Sequence, residues 1–212
     1  MKIGIIQASS QKNKNKIIKD TLLKAIDQNQ NEVINFGVFE ESKEPLSYIE
    51  IALCISLLLE SKAVDFIITG CSSGQGMMLA CNSLPGVMCG YVKNVSDAYL
   101  FGRINNGNAI SYPLGVNWGW GAELNLKETL RVLFEEPLGI GYPIEEADRK
   151  RRDAITLKKI NEISKKRLVD LLPLLDKSIV NAALHYHIVF DYIMMYGKND
   201  ELKDVMKKLS NG

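Results

Sequence analysis

The sequence predicts a three-layer, Rossmann-like α/β fold: a five-stranded parallel sheet with helices on both faces, followed by a helical C-terminal extension. Three observations predict it. Short, wholly apolar runs such as Ile3 to Ile6 and Phe66 to Ile68 read as strands buried on both faces. Stretches of helical length separate these runs, and such alternation implies parallel strands joined by right-handed crossovers. Beyond Pro137 the alternation stops and only helical pattern remains.

Taken in order, Ile3 to Ile6 forms the first strand. The segment SSQKNKNKIIKDTLLKAIDQ then places Ile17, Ile18, Thr21, Leu22, Ala25 and Ile26 on one helical face and its lysines on the other. Asn29 to Asn31 closes that helix, Glu32 to Phe36 is a second strand, and the polar stretch containing Pro45 is a loop. Tyr48 to Leu59 is a strongly apolar helix leading to Asp65–Met77, DFIITGCSSGQGM, which reads as strand, Gly/Ser-rich turn and helix. After the turn Leu84-Pro85-Gly86, residues Val87 to Val92 supply a fourth strand. Asn94 or Ser96 caps a helix holding Ala98, Tyr99 and Phe101, which ends near Asn105-Asn106-Gly107. Ala109 to Leu114 is the fifth strand, and the glycine-punctuated link GVNWGWGAE enters a helix from Leu124 to Phe134. Trp118 and Trp120 in that link either line a pocket or, as two aromatics beside three glycines more often do, pack at a domain edge. The tail reads as one helix from about Glu145 to Leu172, and a second after Pro173 that carries Ile179, Val180, Ala183, Leu184 and HYHIVFDYIMMY. These patterns divide the chain into an α/β domain, 1–140, and a helical extension, 141–212.

Composition excludes several classes. A net charge of +1 over 212 residues gives no basis for a nucleic-acid or anionic-membrane partner. No apolar run approaches 18 residues, and MKIGIIQASS is too brief for a signal-peptide core, so a cytoplasmic protein is expected. Cys54, Cys71, Cys81 and Cys89 form no C-x-x-C pair and read as reduced thiols. With only His185 and His187, two apart on an apolar helix, and no H-E-x-x-H, neither a metal centre nor a cofactor is expected. The Walker loop and the dinucleotide fingerprint are both missing. Residues 148 to 177 carry ten Lys/Arg against five acidic residues, a mostly solvated helix face that holds candidate phosphate or subunit contacts.

The chemistry concentrates at G-C-S-S-G-Q-G. Where a parallel strand hands over to a helix, the loop lies at the carboxyl edge of the sheet and the first helical N–H groups attract anions. A thiol in such a field has its pKa lowered from about 8.5 towards neutrality and can take a proton from carbon. Cys71 is therefore a candidate base; the alternative is an inert cysteine buried in a tight turn. In R-I-N-N-G-N, 103 to 108, Asn105 and Asn108 either bind sugar hydroxyls or terminate a helix.

The two stretches GCSSGQGMMLACNSLPGVMCG and SDAYLFGRINNGNAISYPLG together resemble the ribose-5-phosphate isomerase B / galactose-6-phosphate isomerase family, over about residues 1 to 155. The longer tail is similar to that of a longer branch of the family. The resemblance implies aldose–ketose isomerisation of a phosphorylated sugar, of the ribose-5-phosphate/ribulose-5-phosphate type, through a cis-enediolate. Cys71 falls on the family's catalytic cysteine and Ser73 on its loop threonine. Gly74 and Gly76 fall on the glycines whose N–H groups stabilise the enediolate, with Ser72 and Gln75 beside them. Asn105 matches the asparagine that holds the substrate and Asn108 the second asparagine of the motif. Where the family has Asp-His after its first strand, this chain has Ala8 and Ser9, leaving Ser9 as a polar substrate contact. Arg149, Arg151 and Arg152 are the counterparts of its phosphate-binding arginines, Arg149 and Arg152 foremost among them. The family's site lies between subunits, so a homodimer or a dimer of dimers is implied. One departure stands out: Ile104 occupies the place of the ring-opening histidine, and a hydrocarbon is neither acid nor base. Either another residue opens the ring, or the substrate is already open-chain, or the chain is a non-catalytic sugar-phosphate-binding or structural homologue.

Overall fold

A computed structural model describes residues 1–116 and 118–211. Five strands form one parallel sheet: β1 (Lys2–Ile6), β2 (Glu32–Gly37), β3 (Phe66–Cys71), β4 (Cys89–Tyr91) and β5 (Ala109–Pro113), in the order β2-β1-β3-β5-β4. The fourth strand is shorter than expected, because Val87 and Val92 lie outside the ladder, which pairs only Cys89, Gly90 and Tyr91 with β5.

Each face of the sheet carries its own core. On one face α1 (Asn15–Ala25), α4 (Val95–Leu100) and α5 (Ala122–Phe134) cover Ile3, Ile5, Phe66, Ile68 and Ile110. A single π turn, Phe101–Asn105, prolongs α4 to the left-handed Asn106. On the other face lie α2 (Tyr48–Glu60) and α3 (Gln75–Ser83), packed on Ile6, Ile67 and Ala109. Every residue of α2 from Ile51 to Leu59 is buried. A helix apolar all round needs cover all round, and here the C-terminal helices supply the outer half.

The tail is more broken than its pattern suggested. It runs as α6 (Ala147–Ser164), α7 (Leu168–Leu171) with a 3-10 turn through Pro173, α8 (Lys177–Leu184), α9 (His187–Tyr196) and α10 (Asp200–Ser210). The expected helix to Leu172 ends at Ser164 because Lys165 turns to extended backbone. The second expected helix breaks at His185 and Tyr186, so the two histidines flank a turn and do not share a helix; their ring centroids lie 6.5 Å apart. Leu168, Leu172, Val180, Ala183, Leu184, Val189, Ile193, Leu202 and Met206 join the α2 core, and Tyr186 donates its hydroxyl hydrogen to the Phe36 carbonyl. No helix is long and apolar enough to cross a membrane among the described residues.

In this strand order the chain leaves β1 for a helix on one face and leaves β3 for a helix on the other. Neighbouring strands with divergent exits open a crevice at their carboxyl ends. Cys71 stands at that crevice.

Candidate active site

Three loops meet at the carboxyl edge. The first follows β1, the second joins β3 to α3, and the third follows β5. Backbone bonds lock them together: Ala8 donates to the Gly70 carbonyl (3.2 Å), and Gly115 and Val116 both donate to the Ser72 carbonyl (2.9 and 3.0 Å). The geometry at Cys71 is therefore set by the sheet and both flanking loops.

Cys71 is the last residue of β3, paired with Pro113, and is 9% exposed. Its neighbour Gly70 has to be glycine, since a Cβ there would sit 2.3 Å from the Tyr112 carbonyl oxygen. Gly74 caps α3 with φ of +76°, and a Cβ would meet the Tyr91 ring at 2.8 Å and the Pro113 nitrogen at 3.0 Å. A left-handed residue pressed against backbone admits only glycine at small cost. Ser111 donates its hydroxyl hydrogen to the Gly74 carbonyl (2.6 Å) from beneath, and Ser73 accepts from the Gln75 N–H (3.4 Å). The N–H groups of Ser72, Ser73 and Gly74 meet no acceptor among the described residues. Ser72, Ser73 and Gln75 are exposed, and the Tyr48 ring lies over Gly76. The loop thus offers a thiol, hydroxyls and free backbone donors at one mouth, the equipment for moving a proton beside a developing oxyanion.

The other sequence-derived residues are placed differently. Ser9 is half-buried and its hydroxyl oxygen accepts from the Leu46 N–H (2.6 Å), so it fastens the loop before α2. Asn108 stands at the opposite edge of the sheet, where its carbonyl accepts from Ile67. Four to five strand residues at about 3.3 Å each put it roughly 13–16 Å from Cys71. Its side chain is spent on backbone, accepting from Met88 N–H (2.8 Å) and donating to the Gly86 carbonyl (2.7 Å). Asn105 is exposed at that same far edge and lines a 460 Å³ cavity with Asp97, Tyr91 and, from α6, Asn161. Within one chain neither asparagine meets Cys71. Arg149 is engaged by Glu146 and Asp153 along α6, and Arg151 by Asp148 and the Ile140 carbonyl. Arg152 is exposed, with no ion pair among the described residues. Ile104 is half-buried in the π turn.

Gln11 went unnoticed in the sequence. Its side-chain nitrogen donates to Ser72 Oγ at 2.8 Å, from the 3-10 segment Ser9–Lys14. No pattern in SSQKNKNK singles it out. The signal lies in the backbone, where Gln11 departs from helical geometry (φ −125°, ψ 25°). In the same region Trp118 packs edge-to-face on Tyr112, at 6.3 Å between centroids, while Trp120 is fully exposed. The expectation of edge packing holds for the first tryptophan and fails for the second, which lies between two glycines with open space around them.

The arrangement has known counterparts. A 4-deoxy-L-threo-5-hexosulose-uronate ketol-isomerase, solved in complex with a tartrate, is 39% identical over the whole of both chains, with a TM-score of 0.94. A ribose-5-phosphate isomerase from Vibrio parahaemolyticus is 36% identical over 99% of each chain, with a TM-score of 0.93. The type B ribose 5-phosphate isomerase of Trypanosoma cruzi, 19% identical, shares the fold over 78% of this chain and all of its own, with a TM-score of 0.64. No curated protein sequence matches significantly. Residues 3–137 match the model of the ribose/galactose isomerase family. With the cysteine loop in place at the crevice and two full-length relatives above 30% identity, the chain belongs to that family of sugar isomerases.

Proposed function

We propose that the protein interconverts the aldose and ketose forms of an open-chain acidic sugar, with Cys71 as the base. The thiolate takes the proton from C2 of the aldose. The electron pair moves into a C1–C2 double bond, O1 gathers negative charge, and the cis-enediolate forms. Return of the proton from the thiol to C1, with transfer of the O2 proton to O1, leaves the carbonyl at C2. The free N–H groups of Ser72, Ser73 and Gly74 are the donors for the enediolate oxygens, and such preorganised donors are worth about 3–4 kcal/mol each. Ser73 orients the loop, and Gln75 and Gly76 border the substrate.

The observation that carries this reading is Cys71 at the end of β3, 9% exposed at the carboxyl edge and next to unengaged backbone donors. Ile104 supports an open-chain substrate, because no imidazole stands where ring opening would need one. The two full-length relatives carry different names, one a uronate ketol-isomerase and one a ribose-5-phosphate isomerase. The terminal acid is therefore a carboxylate or a phosphate, and we favour a five- or six-carbon chain. Asn105, out of reach of Cys71 in one chain, and Arg152, exposed and without an ion pair among the described residues, serve the site of a second copy, as the family's two-subunit site implies. The working unit is then a homodimer or a dimer of dimers.

The test is turnover of a panel of four- to six-carbon sugar phosphates and hexosulose uronates, followed by appearance of the product carbonyl. Wild type converts at least one member, and Cys71→Ala lowers kcat by about 10²–10⁴, the usual worth of a positioned acid–base group. Equal rates for the variant, or no conversion by wild type, would remove the reading.

A further inference from the structure

The segment after β1 carries two side chains that the reaction as described does not use, Gln11 and Lys14, and each touches another loop of the carboxyl edge. Gln11 reaches across to Ser72 Oγ, tying the first loop to the loop of Cys71. Three residues on, the Lys14 ammonium lies 5.0 Å from the centroid of the Trp118 ring. Trp118 belongs to the third loop, whose Gly115 and Val116 N–H groups grip the Ser72 carbonyl. Lys14, Gln11, Ser72 and Trp118 therefore form one continuous rim.

Lys14 is half-buried and forms no ion pair among the described residues. Its neighbours on this segment are otherwise occupied: Lys12 donates to the Ser42 carbonyl and Lys16 pairs with Asp20. A lysine resting on an aromatic face gains only about 0.5–1 kcal/mol from it at an exposed site. The ring engages the ammonium itself, and its hydrogen-bond donors meet no acceptor among the described residues. A half-buried ammonium held against a loop of the carboxyl edge is suited to an oxyanion, since charge-assisted hydrogen bonds to carboxylate or phosphate are about twice as strong as neutral ones.

We propose that Lys14 is the specificity residue that receives the terminal oxyanion of the substrate, and that Gln11 is a positioning residue that holds Ser72 toward the reacting carbons. This rests on the isomerase reading above. It assigns the acid-binding group to the same chain as Cys71, in addition to any arginine from a second copy. It also predicts selection for acidic over neutral open-chain sugars of the same length.

The experiment has two arms. In the first, kinetics on an acidic sugar and on its neutral counterpart are compared for wild type, Lys14→Met, Lys14→Arg and Gln11→Ala, with thermal unfolding monitored in parallel. Lys14→Met should raise KM for the acidic substrate by about 10-fold or more, as loss of a charge-assisted contact does, with the neutral substrate unaffected. Lys14→Arg should recover most of the loss. Gln11→Ala should lower kcat on both substrates alike and leave KM nearly unchanged. A parallel loss on acidic and neutral substrates in Lys14→Met would overturn the specificity role; an unchanged kcat in Gln11→Ala would overturn the positioning role.

The second arm needs no turnover. The chain has two tryptophans, so Trp120→Phe leaves Trp118 as the only indole, and its fluorescence is titrated with tartrate and with inorganic phosphate. A saturable change with either probe that disappears in Lys14→Met supports the proposal, and the stronger probe names the acid as carboxylate or phosphate. The same response with and without Lys14, or none with either probe, overturns it. If fluorescence responds while no substrate is converted, the isomerase reading has failed and the anion site stands.

Discussion

Four cysteines of one chain have four different surroundings, and the difference is chemical. Cys54 is wholly buried against the Ala183 carbonyl, and burial, with Glu50 adding to it, pushes its thiol up to about 12. It stays protonated at any pH a protein meets. Cys89 is also pushed well up, by its hydrogen bond with Cys81 and then by burial. Cys81 is completely enclosed. Cys71, 9% exposed at the carboxyl edge, is the most accessible of the four, and Cys89 at 6% comes next. Iodoacetamide at pH 7.5 should therefore modify Cys71 first, giving a single adduct by mass spectrometry, with loss of activity in proportion. Labelling of Cys54 or Cys81 at a comparable rate would contradict this placement of the thiols. The loop and its thiol were legible because strand, glycine turn and helix follow one another without a break. Arg103 was not legible as what it is. It sits beside the asparagine motif, yet it is fully buried and binds Glu136 and the carbonyls of Val132, Leu133 and Glu136, tying off the end of α5. Partners thirty residues away cannot be read from local spacing.

At the scale of elements, α2 explains the tail. Its sequence marked it as a strongly apolar helix; burial from Ile51 to Leu59 gives it two faces to cover, and what covers the second lies more than a hundred residues downstream. Strand positions were readable because apolar runs of four to six residues have one use in an α/β chain. Helix ends in the tail were not, since α7, α8 and α9 are set by where each side chain fits the α2 groove. One prediction belongs here. Ending the chain at residue 146 removes the outer cover of Leu53, Cys54, Leu57 and Leu58. Burial of each large apolar side chain is worth about 1.5–3 kcal/mol, so uncovering four of them costs about 6–12 kcal/mol, comparable with the total stability of an ordinary domain, about 5–15 kcal/mol. The truncated chain should be insoluble or bind a hydrophobic dye strongly, and a soluble, cooperatively melting product would refute the account of α2.

At the scale of the whole molecule the two sequence motifs part company. Order and spacing along the chain brought G-C-S-S-G-Q-G and R-I-N-N-G-N together as one site, and the sheet sets them at opposite edges. Sequence spacing fixes which strand a residue precedes; it does not say that a residue entering β5 and one leaving β3 point to opposite ends of parallel strands. If the far edge serves a second copy, Cys71→Ala and Asn105→Ala chains, each inactive alone, should regain about a quarter of wild-type activity when refolded together. Half of random dimers are then mixed, with one intact site of two in each. No recovery, with dimers demonstrated by light scattering, would place Asn105 outside the reaction.

The burial of α2 also has a consequence in time. The helix is complete at Glu60, but Leu202 and Met206, which help to close over it, follow more than 140 residues later. At about 5–20 residues per second, synthesis leaves this greasy helix half-covered for roughly 7–30 s. Over that interval the nascent chain carries a surface that the finished protein never displays, and its yield in a cell depends on what shields it there.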